Sequence, residues 1–187
     1  MAGGILGLDL GRTMGWAVAD RPAIDVWPPG PFLIGRTPPR PKIHSGSHVI
    51  GPSGMEHGRY FLAYDNWLYE MLEWFKPKAV AVEAAIVTGK GGNSRRGEGI
   101  EAIRRLVGKE TVTKLRCADM GLTYVSFHNA TVKKQFAGNG RADEQEMLRA
   151  FLARAWGNGA VWADHNEVDG SAVLECGVRV LKHGETL

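Results

Sequence analysis

Two short apolar runs in this chain end or break on an acid where an apolar residue would be easier to bury. Asp9 sits in Ile5-Leu6-Gly7-Leu8-Asp9-Leu10-Gly11, and Glu83 closes Ala79-Val80-Ala81-Val82-Glu83. A carboxylate in a strand-like stretch is costly to bury without a partner. A third acid, Asp169, lies in Asp164-His165-Asn166-Glu167-Val168-Asp169-Gly170-Ser171-Ala172, where the pattern is helical. Acids placed this way suggest a shared cation, and an oxygen-only set suits Mg²⁺ or Mn²⁺ better than zinc. That chemistry points to phosphodiesters.

The surrounding pattern is that of an α/β domain. Residues 4–10 read as a strand, Gly11 to Gly15 as a tight turn, and Trp16 to Ala19 as the start of a second strand. Residues 20–58 read as a Pro-rich irregular insertion. Prolines at 22, 28, 29, 31, 38, 39, 41 and 52 exclude regular helix, with room for a third strand over His44 to Ile50. From Gly58, Tyr60, Phe61, Tyr64, Trp67, Leu68, Met71, Leu72 and Phe75 recur at helical steps, and Pro77 stops that helix. Ala79 to Glu83 is a buried strand, Ile100 to Met120 a helix, and Thr123 to Phe127 another strand. A short helix follows near Thr131 to Phe136, a turn at Gly138 to Gly140, and a helix over Ala142 to Trp156 with Met147, Leu148, Phe151 and Leu152 inside. The last helix starts at Asp164, with Glu167 giving it capping-box character. The expected architecture is a mixed five-stranded sheet with helices on its faces, one domain over residues 1–187.

Composition narrows the class without choosing a function. The 187 residues are 44% hydrophobic, enough for one real core, and the net charge of +3 is only mildly basic. Basic residues crowd the middle of the chain, among them Lys90, Arg95, Arg96, Lys133, Lys134 and Arg141. Cys117 and Cys176 have no metal-type spacing and read as core thiols of a reducing compartment. The N-terminal apolar run lacks a basic flank and is broken by Asp9, so it does not read as a signal peptide. No stretch approaches the roughly 20 apolar residues that span a membrane. The expected location is cytoplasmic. The Gly-rich, basic stretch Thr88 to Gly97 lacks the Lys-Ser/Thr end of a P-loop. No nucleotide cofactor is expected there, and capture of a phosphate backbone fits it better.

These motifs together resemble the RuvC-type Holliday junction resolvases of the RNase H-like nuclease superfamily. Ile5 to Gly11 with Thr13-Met14-Gly15-Trp16-Ala17-Val18 is similar to the first hairpin of that family, and Ala81-Val82-Glu83 to its second acidic strand. Thr131-Val132-Lys133-Lys134-Gln135, Gly138-Asn139-Gly140 and Asn166 to Ala172 follow in the family's order. The likeness covers most of the chain outside 20–58, and a phage-borne relative is the expected source. It implies an RNase H-like fold, a homodimer, and a crossover-junction endodeoxyribonuclease of DNA recombination and repair acting on branched DNA. It also implies Asp9, Glu83 and Asp169 as catalytic metal ligands for two Mg²⁺ ions, Mn²⁺ substituting, with Asp9 bridging. Lys133 matches a basic residue near the family's active site. The family commonly carries Asp or His three residues before its last Asp. Here that position is Asn166, so a fourth ligand would be Asn166, His165 or Asp164, His165 lying i,i+4 from Asp169. Relatives also carry aromatics after the strand glutamate that stack at the junction centre. None occurs between Ala84 and Leu106, leaving Lys90, Arg95, Arg96, Lys134 and Arg141 as the expected DNA contacts.

Other readings are open. Asp9-Leu10-Gly11-Arg12-Thr13 also fits the first hairpin of actin-like and sugar-kinase folds, which need two such domains to enclose ATP where this length holds one. Nucleases of the same fold acting on flaps, forks or RNA–DNA hybrids, and a non-catalytic DNA-binding module, are the remaining alternatives.

Overall fold

The computed structural model of the chain describes residues 3–25, 43–52, 54–85, 100–154 and 164–186. Five strands, β1 (Ile5–Asp9), β2 (Met14–Ala19), β3 (Ile43–His48), β4 (Ala79–Glu83) and β5 (Thr123–Phe127), form one sheet in the order β3-β2-β1-β4-β5. β1 pairs antiparallel with β2 and β2 with β3, whereas β1 pairs parallel with β4 and β4 with β5. The helices are α1 (Arg21–Asp25), α2 (His57–Phe75), α3 (Ile100–Asp119), α4 (Asn129–Ala137), α5 (Glu144–Ala153) and α6 (His165–His183). The mixed five-stranded sheet flanked by helices is the one expected from the sequence.

The two faces of the sheet differ in side-chain size, and strand alternation sets this. Leu6, Leu8, Met14, Val18, Val80 and Val82 are fully buried on one face, against Tyr64, Leu68 and Leu72 of α2 and Cys117 of α3. The opposite face carries Ile5, Ala17, Ala19, Ala79 and Ala81, with Gly7 and Gly15 in the same alternation. Small residues there let α6 sit almost on the backbone. A Cβ added at Gly15 would lie 1.5 Å from the Asn166 carbonyl oxygen, and one at Gly170 would lie 2.5 Å from Trp16 N. A Cβ at Gly7 would meet Leu174 N at 2.5 Å. α4 and α5 complete this side. The buried Arg154 guanidinium ties them to α6, donating to Glu175 Oε2 at 2.5 Å and to the Phe136 carbonyl at 2.6 Å. Cys117 and Cys176 are both buried free thiols, as expected.

Helix ends follow local chemistry. Asp143 and Glu146 form a reciprocal capping box at α5. Asp164 caps α6 by accepting from Glu167 N at 2.9 Å. Glu167 does not close the box; its carboxylate accepts from Ser45 Oγ of β3 at 2.6 Å. Two expectations are corrected. The insertion does contain a helix, α1, because Pro22 falls in its first turn, where a missing N–H costs nothing, and Asp20 caps it through Ala23 N at 2.9 Å. Leu152 is not inside: it is 52% exposed, because α5 buries only the narrow stripe of Met147 and Phe151. Residues 26–42 of the Pro-rich stretch lie outside the described residues. Among the described residues no helix is long and apolar enough to cross a membrane.

Gly170→Ala sets two effects against each other. A mid-helix alanine gains up to about 1 kcal/mol of helix propensity. Its methyl would collide with the β2 backbone, and overpacking of this kind typically costs about 1–3 kcal/mol. The expected outcome is net destabilisation, read as a lower urea midpoint with an unchanged slope.

Candidate active site

Strand alternation carries both strand acids to the α6 face. Ile5, Gly7 and Asp9 point one way along β1, and Ala79, Ala81 and Glu83 point the same way along β4. Leu8 pairs with Val82 in the parallel register, so Asp9 and Glu83 are the next step on neighbouring strands at the carboxyl end of the sheet. Across the other edge of β1, Asp9 pairs with Gly15. Gly15 is where α6 touches the sheet, at Asn166 and Gly170. Asp169 therefore enters beside Asp9, placed by a residue with no side chain.

The electrostatics bear out this convergence. Burial raises Asp9 to about 7, and the Glu83 charge adds to the rise; the Gly11 N–H and Lys109 oppose it. Burial likewise raises Asp169 to about 7, with Asp9 adding to it and Lys133 and His165 opposing. Glu83 is raised by burial, held back by a hydrogen bond from Asn129, and raised again by Asp169. Each acid thus feels at least one of the other two, with less positive charge nearby than their full ionisation demands.

The hydrogen bonds show where each carboxylate rests. Asp9 Oδ1 accepts from Gly11 N at 3.2 Å, and Glu83 Oε1 accepts from Asn129 Nδ2 at 2.8 Å. In this arrangement no group of three His, Cys, Asp or Glu side chains among the described residues is gathered closely enough to hold a metal ion. The donor chemistry nevertheless fits a hard divalent cation: three mutually repelling carboxylates, two of them held by neutral donors.

The other residues singled out in the sequence divide. Lys133 on α4 lies in the field of both Glu83 and Asp169, and its Nζ donates to the Ala142 carbonyl at 3.0 Å. His165 Nε2 stands 3.3 Å from Glu144 and also faces Asp169 electrostatically. Asp164 is occupied: it caps α6, accepts from Ser47 Oγ at 2.5 Å and is hydrogen-bonded by Asn166. Lys134 and Arg141 are exposed. Lys90, Arg95 and Arg96 lie outside the described residues. The sequence reading missed Asn129, which begins α4 and reaches Glu83, and Lys109 of α3. Lys109 is only 1% exposed and donates to the Gly11 carbonyl at 2.5 Å. Its one sequence signal, a lysine at the i−4 and i−8 positions of buried Thr113 and Cys117, is submerged in a run of surface cations.

No family model matches the chain, and no curated protein matches it in sequence. Solved structures do match. RuvC of Thermus thermophilus is 16% identical with a TM-score of 0.67, over 97% of this chain and 96% of that one. The same organism's RuvC in complex with Holliday junction substrate is 17% identical with a TM-score of 0.68, at the same coverage. The yeast mitochondrial Holliday junction resolvase Ydc2 is 15% identical with a TM-score of 0.59, over 97% of this chain and 81% of that one. The likeness expected from the motifs thus holds in three dimensions along nearly the whole chain, and the fold is the RNase H-like fold of the RuvC-type Holliday junction resolvases.

Proposed function

We propose that this chain is a divalent-metal-dependent, structure-selective endonuclease that resolves four-way DNA junctions. The observation that carries the reading is the meeting of Asp9, Glu83 and Asp169 at the carboxyl end of β1 and β4, on a fold shared with junction resolvases. Asp9, Glu83 and Asp169 would hold Mg²⁺, with Mn²⁺ substituting, two ions being expected and His165 or Asn166 proposed as a further ligand, since Asp164 caps α6. Bound there, such ions lower the pKa of an attacking water and stabilise the leaving oxygen of a phosphodiester. The chain's own contribution is positional. α6 presents Asp169, the end of β1 presents Asp9 with the Gly11 N–H on its carboxylate, and Asn129 orients Glu83. Lys133 is placed to offset charge on the scissile phosphate. Lys134 and Arg141 are proposed to take the phosphate backbone, and Lys90, Arg95 and Arg96 are proposed as further phosphate contacts.

A four-way junction has two-fold symmetry, and a homodimer places two cuts symmetrically. The face we assign to the dimer is the groove between α2 and α3. Leu62 and Leu115 there are 61% and 65% exposed beside Phe61 and Val112, with Asp65, Arg116 and Asp119 among its lining. An apolar groove with a charged rim is a surface that a partner copy can cover. Leu62→Glu combined with Leu115→Glu is expected to convert a dimer to a folded monomer, seen by light scattering.

The deciding experiment is cleavage of labelled four-way junction, fork, duplex and RNA–DNA hybrid with Mg²⁺ or Mn²⁺, alongside Asp9→Asn. Paired symmetric nicks on the junction, lost in the variant while junction binding persists, are expected. Cleavage surviving in Asp9→Asn would remove the metal assignment. Preference for another substrate moves the enzyme to the flap, fork or hybrid class, and tight binding without cleavage makes it a non-catalytic module.

The same acids set a pH dependence. In chelator, folded Asp9 and Asp169 keep protons to about pH 7 that the unfolded chain releases near pH 3.8. Their contribution to stability is therefore greatest below pH 3.8 and is lost as pH rises through about 7. Asp9→Asn is expected to gain stability over wild type between pH 5 and pH 8, on the order of 1–3 kcal/mol after allowing for solvent screening. Mg²⁺ should stabilise the wild type more at pH 8 than at pH 5 and leave the variant nearly unchanged, as read from urea midpoints.

A further inference from the structure

Helix α3 reaches over the end of the sheet with two consecutive side chains, one to each acid-bearing strand. Lys109 Nζ donates to the carbonyl of Gly11 at 2.5 Å. Glu110 Oε2 accepts from the N–H of Ala85 at 3.0 Å. Gly11 and Ala85 occupy equivalent places: each lies two residues beyond its strand's carboxylate, Asp9 on β1 and Glu83 on β4. The connection to the acids is short on both sides. Gly11 N donates to Asp9 Oδ1 at 3.2 Å, so the turn that Lys109 holds is the turn that holds Asp9. On β4, Ala84 N continues the ladder to the Phe127 carbonyl at 2.8 Å, and Ala85 is then caught by Glu110. Glu110 is itself fixed, with Lys114 Nζ at 2.7 Å and the Tyr124 hydroxyl at 3.3 Å.

Lys109 is not an economical choice for packing alone. Lys109 is too buried for its ammonium to reach water along an apolar stem. An enclosed ammonium is expensive unless its contacts matter. A leucine or methionine in that place would fill the space without this penalty.

Resting on the proposed nuclease function, we infer that Lys109 and Glu110 are positioning residues for the carboxylate site, a two-pronged brace from α3 that sets the spacing of Asp9 and Glu83. They act through the backbone of Gly11 and Ala85, and Lys109 also lies in the field of Asp9. Neither residue was singled out by sequence motif, and the pair's role is visible only where the two strand exits meet the helix.

The test uses Lys109→Met, Glu110→Ala and the conservative Glu110→Gln, which keeps an oxygen for Ala85 N. Amide hydrogen exchange is read at Gly11 and Ala85, and junction cleavage is measured on the same proteins. Glu110→Ala is expected to speed exchange at Ala85 by about tenfold or more, as a local opening no longer held shut. Misplacement of reacting groups by about 1 Å can reduce turnover by about 100-fold, so kcat should fall by roughly 10- to 100-fold with KM for DNA nearly constant. Glu110→Gln should restore both, and Lys109→Met should reproduce the effect at Gly11. Calorimetry with Mn²⁺ reads the site without turnover: Glu110→Ala should bind more weakly, and Glu110→Gln like wild type. Wild-type exchange at Gly11 and Ala85, or wild-type kcat and Mn²⁺ affinity in Glu110→Ala, would overturn the brace. If Lys109→Met fails to fold, the two Glu110 variants decide the matter alone. If the wild type cleaves no branched substrate, the nuclease reading fails, while exchange and Mn²⁺ binding still judge the brace.

Discussion

The contact between α6 and the backbone of β1 and β2 is the constraint on which the site depends. A helix normally stands off a sheet by the length of the side chains between them. Here Gly7 and Gly15 on the strands, and Gly170 on the helix, remove that spacer. The sheet is accordingly lopsided, with Leu and Val toward α2 and α3 and Gly and Ala toward α6. The close approach stabilises through dense contact, and it also brings a helical carboxylate to the level of two strand carboxylates. A larger residue at Gly15 would push away the stretch of α6 that carries Asp169. The anchoring of Glu167 and Asp164 to Ser45 and Ser47 pins the same end of the helix from the edge strand.

What this geometry brings together is electrostatically unfavourable. Three carboxylates in one another's field, partly withdrawn from water, push two of their number up to about 7. Lys109 and Lys133 offset part of this, and Asn129 and the Gly11 amide hold two of the acids apart as neutral donors. A core selected for stability alone would not keep such a cluster. Local strain of this kind, surrounded by well-satisfied packing, is the pattern expected of a functional site.

Much of this was legible in the sequence, for reasons that can be stated. Asp9 and Glu83 stood out because each interrupts or ends a run whose other members are apolar, and strand alternation then fixes which way both point. Asp169 was singled out with them as a third acid in a helical pattern, and its place in a family-like order of motifs supported the choice. The helices were legible where a wide apolar stripe marked them, as in α2. Pro22 misled because a proline in the first helical turn and one in a loop look alike without the Asp20 cap. Leu152 misled because α5 packs over less than a full apolar face. Contacts that close across the fold left no local trace. Asn129 meets Glu83 from 46 residues away and Lys109 meets Gly11 from 98. Only the packing of α3 and α4 on the strand ends brings them there.

The inner face of α3 shows how the fold reconciles a polar strand end with a packed interior. Lys109, Thr113 and Cys117 succeed one another at four-residue steps on the buried side of the helix. A helix facing Leu6, Leu8 and Val82 would ordinarily carry leucines throughout. Cys117, near the start of β5, is apolar in character. Thr113, one turn nearer the carboxyl end of the strands, shares a hydrogen bond with Tyr64 at 2.6 Å. Lys109, another turn on, meets the Gly11 carbonyl where the strand has ended and its backbone no longer has a ladder partner. Polarity along α3 thus rises as the sheet runs out, because backbone groups leaving a sheet must be satisfied by something other than a neighbouring strand. An apolar residue at 109 would pack as well and would withdraw that donor. The carbonyl it serves is two residues from Asp9, so satisfying the backbone and placing the carboxylate become one requirement.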